Sequence, residues 1–123
     1  MSRTAEEWGR LAVSLPGWRW MPGMLQWMPE PWMGSRRSID SDYFDTGHEA
    51  FVMRGDEWPD PDDPATEGCL IRLLGPVHEA VWYTGDCDRW VVAVGEERRL
   101  YTSLGRACIA AASALGRWPG GDK

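Results

Sequence analysis

The sequence predicts an α+β domain in which about three helices cover a small antiparallel sheet of three to five strands. Helical spacing of apolar residues near both chain ends predicts two helices, and "DDPAT" at residues 62–66 predicts the start of a third. Two apolar stretches around the polar turn "GDCDR" at residues 85–89 predict a β-hairpin. The chain has 123 residues and 43% hydrophobic content, enough for one core, so residues 1–123 are predicted to form a single domain.

The N-terminal part is predicted to begin with a helix from about residue 4 to residue 15. Thr4 and Glu7 have the spacing of a capping box, and Pro16 with Gly17 ends the helix because proline lacks the next backbone donor. The apolar residues that recur on one helical face behind this cap are Trp8, Leu11, Ala12 and Leu15.

Three segments with weaker patterns follow the first helix. The alternating "WRWM" at residues 18–21 predicts a short strand before the turn at Pro22 and Gly23. Residues 24–37 have no regular period but are too apolar for a free linker, so they are predicted to pack as an irregular lid. Residues 48–54 return to the composition of a strand.

The middle helix is predicted to start at a cap formed by Asp62 or Asp63 and to run to about Leu74. Pro64 suits the first helical turn, and Glu67 suits the positive end of the helix. The residues predicted to face inward from this helix are Cys69, Leu70, Leu73 and Leu74.

The C-terminal part is predicted to contain three strands and a final helix. The hairpin strands are residues 80–84 and 90–94, and a shorter third strand follows at residues 98–103. Ser103 is predicted to cap the last helix, which Gly116 and Pro119 end. The residues predicted to face inward from it are Leu104, Ala107, Cys108, Ala111 and Leu115.

The negative charge of the chain is concentrated in its middle. The formal net charge is −6, but residues 40–67 alone contain ten carboxylates and one arginine, for a net charge of −9. We call residues 40–67 the acidic segment. Within it, the stretch "DEWPDPDDPATEG" at residues 56–68 places six carboxylates and three prolines in thirteen positions.

This charge distribution constrains the class of partner. Nucleic acid is bound through Lys and Arg that neutralise phosphates, so a net-negative chain without a basic run is not expected to bind nucleic acid directly. No stretch approaches the roughly 20 apolar residues that a membrane span needs, and no membrane partner is predicted. The N-terminus has no apolar run typical of a signal peptide, and the three cysteines lack CxxC spacing, which favours a cytoplasmic location.

Two motifs resemble those of short proteins encoded by bacteriophages and prophages of GC-rich bacteria. They are "GWRWMPGM" at residues 17–24 and "PDPDDPATEGCLIRLL" at residues 59–74, and a looser similarity extends to the C-terminal strand and helix. The group resembles this chain in its order of tryptophan-rich turn, variable middle, Asp-Pro helix start, hairpin and final helix. The resemblance implies no activity and transfers no site residue, and the acidic middle is where this chain departs most from the group.

A phage origin favours two functions. The first is a cytoplasmic inhibitor of host nucleic-acid-directed defence machinery, similar to anti-CRISPR proteins, whose acidic surface binds a basic, nucleic-acid-binding surface of a host protein. The alternative is an accessory or virion-associated domain without an inhibitory role. The sequence does not determine the identity of the host partner or the oligomeric state.

The candidate partner-binding residues lie in the second half of the acidic segment. Three interpretations stay open for this stretch: a solvated loop that starts a helix, a partner surface, and a metal site, although no EF-hand pattern is present. The residues predicted to bind the partner are Asp56, Glu57, Trp58, Asp60, Asp62, Asp63 and Glu67. Trp58 lies between carboxylates and prolines, where it could anchor a binding surface.

Neither a metal site nor an enzyme is expected. His48, Cys69, His78 and Cys87 lack the close pairs of a structural zinc site, so no metal or cofactor is predicted. Cys69 and Cys108 fall on apolar helix faces and are predicted to be buried thiols. A nucleophile and base at Cys87 and His78 would lack an orienting group, so the chain is not predicted to be an enzyme.

Most of the nine tryptophans are predicted to pack inside the domain. Trp8, Trp82 and Trp90 occupy periodic positions and are assigned to the core. The tryptophans predicted to cluster with the methionines are Trp18, Trp20, Trp27 and Trp32.

Overall fold

The computed structural model describes residues 3–21, 23–27, 35–36, 43–45, 50–52, 57–86, 88–94 and 97–121. Within these residues the helices are α1 (Ala5–Ser14), α2 (Pro64–Leu74) and α3 (Leu104–Leu115). Short 3-10 helices follow α2 at Gly75–Ala80 and α3 at Pro119–Gly121. The strands are β1 (Leu25–Trp27), β2 (Ser35–Arg36), β3 (Tyr43–Asp45), β4 (Ala50–Val52), β5 (Trp58–Pro59), β6 (Val81–Thr84), β7 (Arg89–Val94) and β8 (Glu97–Tyr101).

The α+β class is confirmed, but the described strands form three antiparallel sheets instead of one. One sheet has the order β2-β1-β5, a second consists of β3 and β4, and the third has the order β6-β7-β8. The third sheet contains the predicted hairpin and the predicted third strand. The predictions at residues 24–37 and 48–54 lie partly outside the described residues, and the parts that are described include β1, β2 and β4.

All three helix starts use the predicted caps. Thr4 accepts a hydrogen bond from the Glu7 amide at 3.2 Å, and the Thr4 amide donates to Glu7 Oε1 at 3.0 Å, which completes the capping box. Of the two candidates for the second cap, Asp63 is the one used, and Ser103 caps α3. Gly116 ends α3 with a φ of 80°, a left-handed conformation that glycine adopts without a steric penalty.

α3 packs on one face of the β6-β7-β8 sheet, α1 and α2 pack against α3, and the core lies at these contacts. Val92 of β7 belongs to this core together with Ala107, Cys108 and Ala111 of α3, so three of the inward positions predicted for α3 are confirmed. All four predicted for α2 are also buried. Leu115 is an exception because its side chain is 39% exposed near the end of α3.

The register of the third sheet decides which side chains reach the core. Val92 pairs with Val81 on one side and with Arg99 on the other, and paired residues point to the same face. The next row contains Trp82, Val91 and Leu100 and points to the opposite face. Trp82 is 38% exposed, so its assignment to the core is wrong, whereas Trp8 is buried and Trp90 packs against the core.

The predicted strand at residues 18–21 is wrong, although its alternation is real. Trp18 and Trp20 are half-buried and contact each other edge to face at 5.3 Å, while Arg19 between them is exposed. Trp18 also contacts Trp118 at 5.9 Å, and Met21 and Met24 are buried. The segment is therefore held by side-chain packing before the turn at Gly23, and not by strand pairing within the described residues. Trp27 leaves this cluster to stack on Trp58, and Trp32 lies outside the described residues.

Candidate partner surface in the acidic segment

Residues 58–61, near the end of the acidic segment, pack between α1 and α3 at points where each helix has a glycine. A Cβ on Gly9 of α1 would lie 2.7 Å from the Trp58 ring and closer still to the Pro59 carbonyl oxygen. A Cβ on Gly105 of α3 would overlap the carbonyl group of Pro61. Pro59 and Pro61 are themselves buried. The backbone of residues 58–61 is thus an integral part of the fold and not a free loop.

Asp62 joins this segment to α3 through an ion pair. Arg106 Nε donates to Asp62 Oδ1 at 3.1 Å, and Arg106 Nη2 donates to Oδ2 at 2.9 Å. Partial burial, the largest single influence, would raise the pKa of Asp62, but hydrogen bonds from Arg106 and Ser103 outweigh it and lower the pKa. Asp62 is therefore a carboxylate at neutral pH with a partner inside the chain.

Asp63 is committed to the start of α2. Its Oδ2 accepts from both the amide and the hydroxyl of Thr66 at 3.0 Å. The Thr66 hydroxyl oxygen in turn accepts from the Leu25 amide at 2.8 Å, which links α2 to β1. Asp63 thus helps to position α2 and, through Thr66, β1. Because its carboxylate is used in these contacts, it presents less negative charge to a partner than the sequence suggests.

Glu67 is the third carboxylate used inside the fold. It accepts a hydrogen bond from the Gly105 amide at 2.9 Å, close to the start of α3. Burial raises the pKa of Glu67, and the nearby charges of Asp62 and Asp63 act in the same direction, against the Gly105 hydrogen bond. Glu67 is half-buried, which limits how much of its carboxylate a partner can contact.

The remaining predicted residues have mixed exposure. Glu57 is only 4% exposed, and Trp58 is half-buried and stacks on Trp27 with ring centroids 6.1 Å apart. Asp60 is half-buried, and its Oδ1 accepts from the Asp62 amide at 2.9 Å. Asp56 lies outside the described residues. The structure brings Asp60, Asp62, Asp63 and Glu67 together where α2 and α3 begin, and their role toward a partner stays a prediction.

A second feature was missed by sequence reasoning because its residues come from distant parts of the chain. A cleft between α1, α3 and β8 is lined by Arg3, Arg99 and Arg106 together with the Trp8 and Tyr101 rings. The two rings meet edge to face at 5.7 Å, and the Arg3 guanidinium lies 5.1 Å from the centre of the Trp8 ring. No run of basic residues in the sequence indicated this basic cleft.

The cysteines and histidines form no candidate catalytic or metal centre in the described part of the chain. Cys69 and Cys108 are buried free thiols, as predicted; burial raises the pKa of Cys69 and raises that of Cys108 to about 12. Cys87 and His48 lie outside the described residues, as does the side chain of His78. Among the residues that are described, no group of three or more His, Cys, Asp or Glu side chains could hold a metal ion.

The described helices are all too short or too polar to cross a membrane. A scan against models of protein families, a search of curated proteins and a search of solved structures each found no match to this chain.

Proposed function

We propose that the chain is a phage-encoded, non-enzymatic binding protein whose acidic segment occupies a basic, nucleic-acid-binding surface of a host protein in the host cytoplasm. The observation that carries the proposal is the net charge of −9 within residues 40–67. Carboxylates arranged on a folded protein attract a basic channel that normally holds phosphates, and they compete with nucleic acid for it. Inhibition of a host defence complex, in the manner of anti-CRISPR proteins, is the expected consequence.

Internal contacts of the described carboxylates support a proposal for the part of the acidic segment that meets the partner. Asp62, Asp63 and Glu67 hold the starts of α2 and α3, and Glu57 is buried. The negative charge that binds the partner is therefore assigned mainly to the other carboxylates of the acidic segment. They are Asp40, Asp42, Asp45, Glu49 and Asp56, and Asp60 lies between them and the carboxylates used in the fold.

Two of the three cysteines have environments that do not suit a catalytic nucleophile, in line with the non-enzymatic part of the proposal. A nucleophilic cysteine requires a thiolate and access to substrate. Cys69 and Cys108 are buried, and burial raises both pKa values, so neither has the environment of a nucleophile.

The test compares two variants of equal net charge in capture from host lysate at low salt. The first replaces Asp40, Asp42, Asp45, Glu49 and Asp56 by Asn or Gln. The matched control neutralises five acids elsewhere in the chain: Glu6, Asp86, Asp88, Glu96 and Asp122. We expect the wild type and the control to capture a basic nucleic-acid-binding protein and to block its binding of nucleic acid, and the first variant to lose both effects.

Salt dependence separates a specific docking surface from general attraction. Binding through the acidic segment should weaken as salt rises, and the first variant should show a shallower dependence than the control. Equal loss in both variants would show that net charge alone is responsible. Failure of the wild type to capture any basic nucleic-acid-binding protein would refute the proposal.

A second candidate function is favoured by the internal use of Asp62, Asp63 and Glu67. If the acidic carboxylates serve the fold and are otherwise solvated, the chain is a phage accessory or virion-associated domain without an inhibitory role. Deletion of the gene distinguishes the two functions, because an accessory domain affects phage assembly in a host that lacks defence systems, whereas an inhibitor affects only infection of a defended host.

A further inference from the structure

The basic cleft between α1, α3 and β8 has the dimensions of a small-molecule site. It comprises two adjoining cavities of about 260 and 430 Å³ that share Arg3, Trp8, Arg99 and Tyr101 as walls. Sites for small ligands have volumes of about 300–1,000 Å³, so the combined space accommodates a molecule of nucleotide size.

The space exists because one face of α3 has small side chains. Ala110, Ser113 and Ala114 line the first cavity. Arg106, one helical turn before Ala110, lines the second cavity. Larger side chains at these positions would fill the gap between α3 and β8. On the opposite wall, Arg99 and Tyr101 are two residues apart on β8, so both project from the face of the sheet on which α3 packs.

The charge of the cleft is opposite to that of the whole chain. Three arginines line it in a protein of net charge −6, and the described residues that line the two cavities include no carboxylate. Asp62 lies next to the cleft and binds Arg106, whose Nε and Nη2 donate to its carboxylate. A third N–H of Arg106 donates to the Arg3 carbonyl oxygen at 3.4 Å, so this contact brings the N-terminal residues and α3 together at the cleft.

Arginine is well suited to bind phosphate at such a place. A guanidinium has five N–H donors in a planar fork, so an arginine that already contacts its own chain can also bind an anion. Three guanidinium groups match the charge of a phosphate dianion better than that of a single carboxylate. The apolar surface of Ala110, Ala114 and Val92 next to the arginines provides room for the organic part of a ligand.

We propose that this cleft binds a small phosphate ester of nucleotide size, with the phosphate held by Arg99, Arg3 and Arg106. The proposal does not depend on the proposed host partner. It concerns a free metabolite and not nucleic acid.

Adjacent arginines on β8 provide the test. Arg99 lines the cleft, whereas Arg98 points to the opposite face, where its guanidinium lies 5.6 Å from the centre of the Trp82 ring. Calorimetric titration of the full chain would use inorganic phosphate, adenosine monophosphate and adenosine as probes. We expect Arg99→Gln to weaken binding of adenosine monophosphate about tenfold or more, because a charge-assisted hydrogen bond is lost. Arg98→Gln removes the same charge and should change the affinity less than about twofold, since exposed charges act weakly at a distance.

The probes distinguish the sources of the anion. Tighter binding of adenosine monophosphate than of phosphate supports a nucleotide, and equal binding supports recognition of the phosphate group alone. Arg3→Gln provides a second variant at an exposed side chain, where a disturbed fold is less of a concern, and it should also weaken binding. Equal effects of the Arg98 and Arg99 variants, binding of adenosine as tight as that of its monophosphate, or no binding of either phosphate compound at millimolar concentration would each overturn the proposal.

Discussion

Arg106 binds both carboxylate oxygens of Asp62, although the two residues are 44 positions apart in the chain. The pair attaches the loop before α2 to the first turn of α3. Its geometry is that of a planar guanidinium facing a carboxylate, which is the more specific form of ion pair. It also places the acidic segment next to the basic cleft.

The lowered pKa of Asp62 predicts a stability contribution that disappears in acid. The folded state binds protons less readily than the unfolded state, whose pKa is about the usual 3.8, so the contribution is present above that pH and is lost as the pH falls through the folded pKa. Asp62→Asn should remove this part of the pH dependence and cost ~1 kcal/mol or less at neutral pH, because the pair is partly exposed. Urea unfolding of the wild type and of Asp62→Asn on both sides of pH 3.8 measures this stability contribution. The same loss of stability in acid for both proteins would contradict the prediction.

Glu67 should have the opposite pH dependence. Its folded pKa is raised above the usual 4.5, so the folded state is favoured by protonation, and stability falls as the pH rises from that value through the folded pKa. Glu67→Gln keeps an acceptor for the Gly105 amide and removes the charge. We expect this variant to match the wild type below pH 4.5 and to exceed it above. A variant that is less stable than the wild type at neutral pH would show that the charge itself supports α3.

Gly105 and Gly68 form a matched pair for testing the contact between α3 and residues 59–61. Gly105→Ala would place a methyl group on the Pro61 carbonyl, so we expect a loss of about 1–3 kcal/mol or more in the free energy of unfolding. Gly68 lies on an exposed part of α2, and its added Cβ would meet nothing within 4 Å. Gly68→Ala should therefore stabilise the protein by about 0.5–1 kcal/mol, since alanine favours helix. Equal effects of the two substitutions would argue against the close approach.

Two substitutions test Asp63 as the cap of α2: one removes the side-chain acceptor and the other keeps it. Asp63→Ala should cost about 1 kcal/mol, because the Thr66 amide loses its partner at the start of α2. Asp63→Asn keeps an oxygen at the same place and should cost only a few tenths of a kcal/mol. Thermal or urea unfolding measures both variants, and a full loss in the Asn variant would assign the effect to charge instead of capping.

Trp118 anchors the C-terminal end of the chain to α1. Its side chain is fully buried, and Nε1 donates to the Ala12 carbonyl oxygen at 2.9 Å. Trp118→Phe removes this hydrogen bond and part of the buried ring, and we expect a loss of about 1–3 kcal/mol in the free energy of unfolding. Trp82→Phe is the control because Trp82 is exposed, and it should change stability by less than about 0.5 kcal/mol. Similar losses in both variants would contradict the assignment of Trp118 to the core.

Those parts of the fold that depend on neighbours in sequence could be predicted. The capping box of Thr4 and Glu7, the Ser103 cap and the glycine end of α3 each involve groups within a few residues, so residue type and spacing are sufficient. The hairpin of β6 and β7 has the same origin in a short polar turn. The prediction at residues 18–21 failed because a strand also needs a neighbour to pair with, and alternation of side chains does not supply one.

By itself, the sequence determined the α+β class, the helix boundaries and the concentration of negative charge in the middle of the chain. Only the tertiary structure decided that Asp62 meets Arg106, that Glu57 is buried, and that Trp82 faces away from the core. The three arginines of the basic cleft also come together only in the folded chain, at positions 3, 99 and 106. The physical reason is that caps and turns depend on the chain over a few residues, whereas burial and ion pairing depend on which distant elements pack together. A carboxylate has the same charge in the sequence whether it serves the fold or a partner, and packing determines which of the two it can do.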